Sequence, residues 1–186
     1  TKSIAGKTAA ELAALADLGL GIVYMGLESG DDETLKKVSK GAGAERMIAA
    51  GRKVRQAGIR LSLTVLLGVA GRERSEIHAR ETGRVLTAID PEFVGALSLM
   101  LIPGTPLRAD FEAGRFELLD SREMLKELGT MLAHTHMTAG LFHANHASNY
   151  LPIRARMPAD KEKTLQLINR ALAGDVQLKP EYLRAL

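Results

Sequence analysis

The stretch that most constrains this fold runs from Val23 to Asp32. Val23 to Leu27 is an apolar run with no helical period, the pattern of a strand buried on both faces. It ends at Glu28, and Ser29, Gly30, Asp31 and Asp32 then break the strand and offer caps to a following helix. Ile59 to Leu67 and Phe93 to Ile102 repeat the device. The first runs into Gly68-Val69-Ala70-Gly71-Arg72 and the second into Pro103-Gly104-Thr105-Pro106. Helical segments separate the three runs, so the order is β-α-β-α-β with parallel strands and right-handed crossovers. Three parallel strands make a small sheet that needs cover on both faces. The expectation is an α/β fold: part of a (β/α) barrel over residues 1–107, then a mainly helical extension over 108–186.

Helical spacing supports that order. Leu12, Leu15 and Leu18 mark a helix over 8–18, and Met47, Ile48 and Val54 mark one over 45–57. Glu33 to Val38 is a short helix between them. Ile77, Val85 and Ile89 supply the buried stripe of a helix over 75–89. Residues 108–119 read as loop or short helix, and Ser121 caps a helix to about Met137 with Leu125, Leu128 and Leu132 inward. Gly140 to Arg156 reads as irregular and polar-rich. Leu165, Ile168 and Leu172 mark a last helix.

Composition excludes some chemistry. The chain has 186 residues and no cysteine, so it forms no disulfide and holds no zinc or iron–sulfur group through thiolates. The formal charge of +3 is too small to argue for nucleic acid by itself. No apolar run approaches the roughly 18 residues that span a bilayer. A soluble, cytoplasmic protein without a membrane partner is expected, and the start at Thr1 suggests a processed or excised piece.

The strand ends converge on one rim, where α/β folds hold ligands. Glu28 there could bind ribose hydroxyls or an ammonium group, or simply cap the next helix. Lys40 could reach back over the rim to an anion, or remain a solvated helix-end lysine. His143 and His146 are spaced to share a turn, but no acidic partner completes a metal motif, so no metal site is assigned. Arg154, Arg156, Lys161 and Lys163 form a basic cluster of the kind usually found on solvated faces.

The run from Met25 through Gly26, Leu27, Glu28, Ser29 and Gly30 to Lys40 and Gly41 resembles the fourth-strand segment of radical S-adenosylmethionine (SAM) enzymes. The group in question includes oxygen-independent coproporphyrinogen oxidase, elongator-type tRNA-modifying enzymes and methylthiotransferases. Ser62 to Gly68 and Leu101 to Leu107 are similar to strands five and six of that family, and Phe142 to Pro152 with Leu178 to Arg184 is similar to the tail of family members.

The resemblance implies the second half of a (β/α)6 barrel. It implies SAM as cosubstrate, contacted by Glu28 and Lys40 with Gly26 and Ser29 beside them. Thr64 falls at a ribose-binding position often held by Asp, and Gly68 and Ile102 fall where backbone meets adenine. His143, Asn145, His146, Asn149 and Tyr150 are implied to face a substrate or cofactor; no catalytic residue is assigned.

The family's CxxxCxxC cluster loop is absent, as an N-terminal truncation would leave it. A [4Fe–4S] cluster belongs to the parent protein only, and this chain alone cannot cleave SAM. In the parent, an electron donor such as flavodoxin or ferredoxin would feed the cluster, and a 5′-deoxyadenosyl radical would oxidise or modify the substrate. That substrate is expected to be a small molecule, such as the tetrapyrrole of a coproporphyrinogen III oxidase-like reaction, rather than nucleic acid. Two alternatives stand beside it: tRNA modification, and a cluster-free binding module built on the half-barrel. Exposed strand edges predict self-association.

Overall fold

The computed structural model describes residues 2–185. After the single turn α1 (Lys2–Ala5) come α2 (Ala9–Asp17), β1 (Ile22–Glu28), α3 (Asp32–Lys37), α4 (Ala44–Gln56), β2 (Arg60–Leu67), α5 (Gly71–Ile89) and β3 (Phe93–Ser98). The chain continues through α6 (Pro106–Glu112), α7 (Ser121–Ala133), β4 (Gly140–Ala144), β5 (Ile153–Met157) and α8 (Lys161–Ala173). The strands form one sheet in the order β1-β2-β3-β4-β5. The first four are parallel, and β5 returns antiparallel to β4. This is the α/β, mostly parallel arrangement of a partial (β/α) barrel.

Local chemistry sets the helix starts. Thr8 and Glu11 form a reciprocal capping box on α2, and Asp120 and Glu123 do the same on α7. Asp31 caps α3 by accepting from the Thr34 amide at 3.1 Å.

Side chains alternate across the sheet. Met25, Leu27, Leu61, Leu63, Val65, Leu67, Val94 and Ala96 point to one face and are buried. They share a single hydrophobic cluster with Met47 and Val54 of α4, Val85 and Leu86 of α5, and Leu125, Leu128 and Leu132 of α7. Each such aliphatic side chain contributes about 1.5–3 kcal/mol on burial. The cluster also takes Phe142, Ile153 and Ile168, so it draws on both sides of position 107.

The opposite face is only half covered. Gly26 of β1, Thr64 of β2, Gly95 of β3, His143 of β4 and Arg154 of β5 stand in one register row across it. The apolar runs suggest strands buried on both faces, but from Leu61 onward β2 alternates between buried and half-buried positions. Helices pack on one face, and Tyr24 on the other is 75% exposed.

Three other expectations are corrected. The sheet has five strands rather than about three, because the segment read as irregular contains β4 and β5. The third strand stops at Ser98, and residues 99–105 form a loop instead. Ile77 is 44% exposed, and the buried stripe of α5 is carried through His78, Ala79, Thr82, Val85, Leu86 and Ile89. No helix among the described residues is long and apolar enough to cross a membrane.

Candidate functional site

The end of β1 carries the geometry of interest. The β1–β2 ladder slips between Gly26 and Glu28, and Glu28 adopts a left-handed backbone with φ of 62°. Such a φ is uncommon and costly for a residue with a side chain, and it clusters at functional turns. Here it folds the carboxylate back over its own strand. A Cβ placed on Gly26 would lie 2.1 Å from Glu28 Oε1 and 2.8 Å from Lys40 Nζ. Glycine therefore leaves the space in which the two charged groups meet.

Lys40 arrives by a second reversal. α3 ends at Lys37, Ser39 takes φ of 54°, Gly41 takes φ of 73°, and the Lys40 amide donates to Leu35 O at 2.9 Å. The ammonium then donates to Glu28 Oε1 at 2.9 Å, with side chains only 19% and 26% exposed.

Glu28 and Lys40 both line a cleft of about 670 Å³. Leu66 and Val69 line it from the β2 side, Leu97 from β3, Met100 and Ile102 from the loop beyond it, and Leu107 from the first turn of α6. Lys37 and Asp110 add charge at its margins. An apolar hollow of this size with a few convergent polar groups suits a small organic ligand.

The turn after β1 is pinned from α5. Arg74 grips Asp31 with two bonds of 2.8 and 2.9 Å. Burial alone would raise the Asp31 carboxyl, but the Arg74 fork and the Thr34 hydroxyl and amide outweigh it and hold it down to about 2. Gly30 donates to Thr82 Oγ1 at 2.8 Å, and a Cβ there would lie 2.3 Å from Glu81 O, so this turn lies directly on the helix.

The sequence-predicted residues divide into two groups. Glu28, Lys40 and Ile102 line the cleft, with Gly26 beneath the ion pair and Thr64 opposite Gly26 in the next strand. Ser29 does not reach it: the side chain is fully buried, 2.8 Å from His78 Nδ1, and its hydroxyl accepts from the Asp31 amide. Gly68 is likewise committed internally, its amide to Glu127 at 2.6 Å and its carbonyl to the Gly71 amide.

Among the tail residues, His143 and Asn145 lie at the open face or its end. With its amide oriented to satisfy both ends, Asn145 accepts from Arg154 Nε at 3.0 Å. His146 Nδ1 closes a turn by accepting from the Ser148 amide. Asn149 and Tyr150 are buried and structural. Asn149 bridges Ser98 Oγ and Ala96 O, while Tyr150 donates to Glu181 and lies under the Arg184 guanidinium, 4.3 Å from ring centre to Cζ. Burial and the Glu181 bond push the Tyr150 phenol up to about 12.

Sequence reasoning missed His78, Glu127 and Arg184. His78 and Glu127 are fully buried, 3.5 Å apart, beneath the turns that follow β1 and β2. Ser75, His78 and Thr82 recur at helical spacing in line with Val85 and Ile89, and that polar extension of an apolar stripe was the available signal.

The chain contains no cysteine, and no group of three His, Asp or Glu among the described residues could hold a metal ion. These residues do not fit an iron–sulfur cluster.

Residues 2–82 match the Radical SAM superfamily. An uncharacterized protein of Methanocaldococcus jannaschii is 26% identical over 112 residues, which cover 60% of this chain and 34% of that protein. Elp3 of the archaeon Methanocaldococcus infernus, solved with an N-terminal deletion, superposes with a TM-score of 0.59 at 16% identity. That match covers 96% of this chain and 40% of Elp3, so the likeness is one of fold. The chain thus spans between a third and a half of the proteins it matches. Residues 2–82 are thus similar to the Radical SAM superfamily, and the fold of the chain is similar to part of that of the archaeal Elp3.

Proposed function

We propose that this chain binds S-adenosylmethionine in the cleft beside β1, as the cosubstrate-holding part of a radical SAM protein. The observation that supports it is the Glu28–Lys40 pair folded over Gly26. A methionine-type zwitterion can insert between the two side chains, giving its ammonium to Glu28 and its carboxylate to Lys40. One ion pair is exchanged for two, so neither partly buried charge is left uncompensated. The nucleoside then lies over the apolar side chains of Leu66, Met100 and Ile102. Thr64 is placed to offer a weaker hydrogen bond to a ribose hydroxyl than an Asp would.

In such a protein a cluster held by residues other than these would supply an electron to SAM. Nothing in this chain ligates one, so its own residues bind and orient the cosubstrate and no more. Titration of SAM into ¹⁵N-labelled protein tests the reading. Shifts concentrated at Gly26–Lys40 and at residues 97–107 are expected; shifts elsewhere, or none, would refute it.

A nucleic-acid substrate, as in tRNA modification, is a second reading, and the comparisons offer nothing toward a tetrapyrrole. Arg154, Lys163 and Arg170 line a hollow of about 510 Å³ between β5 and α8, with Asp160 the one acid among them. RNA binding that weakens steeply with salt, and more weakly so after Lys163→Ala with Arg170→Ala, would support it.

A further inference from the structure

Among the described residues, His78 Nε2 is the one buried side-chain nitrogen or oxygen without a hydrogen-bond partner. It is not surrounded by carbon. It points at Glu127 Oε1, 3.5 Å away, and both side chains are fully buried. A buried polar atom left unmade is costly, and this one stops just short of a bond.

The two side chains reach opposite turns. Glu127 Oε1 accepts from the Gly68 amide at 2.6 Å and Oε2 from the Ser75 hydroxyl at 2.5 Å. His78 Nδ1 meets Ser29 Oγ at 2.8 Å, and Ser29 accepts from the Asp31 amide at 3.0 Å. Gly68 ends β2 and Ser29 follows β1, so the chain Gly68–Glu127–His78–Ser29 ties together the turns at the ends of two neighbouring strands.

We propose that Glu127 and His78 are positioning residues that share one exchangeable proton and so couple the turn at Gly68 to the turn at Ser29. With Glu127 ionised, its oxygens accept from Gly68, Ser75 and the Nε2–H of a neutral His78, whose Nδ1 accepts from Ser29. When Glu127 gains a proton, it donates that proton to Nε2. The imidazole proton then sits on Nδ1 and is donated to Ser29 Oγ. One proton has been added, and the Gly68 amide has exchanged a charged acceptor for a neutral one, a bond of roughly half the strength.

The surroundings suit such a pair. Burial pushes the Glu127 carboxyl up to about 7, against the Ser75 and Gly68 bonds, and pushes the His78 imidazole down to about 4, against the charge of Asp31. Asp31 faces His78 from the turn after β1, itself neutralised by Arg74. From the other side, the buried residues of α8 are Thr164, Ile168 and Ala171, none of them charged. The two groups are close enough to titrate as one unit.

The consequence for ligand binding rests on the SAM reading, because Glu28 adjoins Ser29 and the cleft wall at Val69 adjoins Gly68. The test need not. In ¹⁵N-labelled protein the Gly68 and Ser29 amide resonances are followed across neutral pH. Both are expected to titrate with one shared midpoint, and Glu127→Gln should abolish the titration at both. Ser75→Ala keeps the carboxyl but removes a bond to its charged form, so it should move the shared midpoint upward. A Gly68 resonance that stays flat, separate midpoints for the two amides, or titration that survives Glu127→Gln would overturn the proposal. If the titration behaves as expected and wild-type protein binds no SAM, it is the cosubstrate reading that falls.

Discussion

Glu28 and Lys40 meet at 2.9 Å in space that any side chain at position 26 would occupy. Gly26→Ala is therefore the most selective way to disturb the site. The clashing atoms are the far ends of two flexible side chains, and the Gly26 backbone φ is not among the left-handed ones. The fold should survive with a stability change of about 1 kcal/mol or less, since a partly exposed ion pair contributes little. SAM affinity should fall by about tenfold or more, equivalent to roughly 1.4 kcal/mol. Urea denaturation and equilibrium binding on the same protein separate the two effects.

Asp31 ties the turn after β1 to α5, and its removal should be felt at neutral pH. Its folded pKa is held down to about 2, from 3.8, so its contribution is present above 3.8 and lost as pH falls through about 2. Asp31→Asn should cost about 1–3 kcal/mol near pH 7 through the lost charged bonds to Arg74. Wild type and variant should converge in strong acid. A constant difference at every pH would mean that Arg74 does not depend on the Asp31 charge.

Glu127 and His78 act on stability with opposite slopes. Glu127 is raised from 4.5 to about 7, so its contribution is full below 4.5 and fades as pH rises through about 7. His78 is lowered from 6.5 to about 4, so its contribution is full above 6.5 and fades as pH falls through about 4. Glu127→Gln should thus gain on wild type as pH rises across that window, measured by denaturation midpoints. Glu127→Ala, which leaves the Gly68 amide and Ser75 hydroxyl buried without an acceptor, should cost about 2–4 kcal/mol.

Arg184 is a clamp in the tail. Its buried guanidinium donates to Ser148 O at 2.6 Å, Leu99 O at 2.9 Å and the Tyr150 hydroxyl at 2.6 Å. Leu99 and Ser148 both line the cleft, so the tail braces its far wall. Arg184→Met keeps the bulk and loses the donors; a loss of about 2–4 kcal/mol is expected on unfolding. A loss under about 0.5 kcal/mol, the level of an ordinary surface change, would show the clamp to be idle.

The parallel core was legible because β1, β2 and β3 are apolar runs that end in turn residues, with helical spacing between them. β5 was legible too, and was passed over: Ile153, Ala155 and Met157 are buried while Arg154 and Arg156 are exposed, a strict period of two. β4 is five residues long and holds a histidine, too short and too polar to declare itself. The Glu28–Lys40 contact depends on two left-handed residues, Glu28 and Ser39, that no local pattern announces. Resemblance to a family implied a SAM contact for each of the two residues but not their contact with one another, and spacing alone favoured a solvated lysine. Ser29 and Gly68 were assigned to a ligand by position in that family; their hydrogen bonds in this chain go to His78 and Glu127, which lie 49 and 59 residues further along.

Calorimetric titration of S-adenosylmethionine into the wild-type chain and into the Glu28→Ala, Lys40→Ala double variant tests cosubstrate binding most directly. Saturable binding to the wild type, lost in the variant while the urea midpoint holds, is the expected result. Equal affinity in the two proteins, or none in the wild type, would contradict a SAM site at this pair.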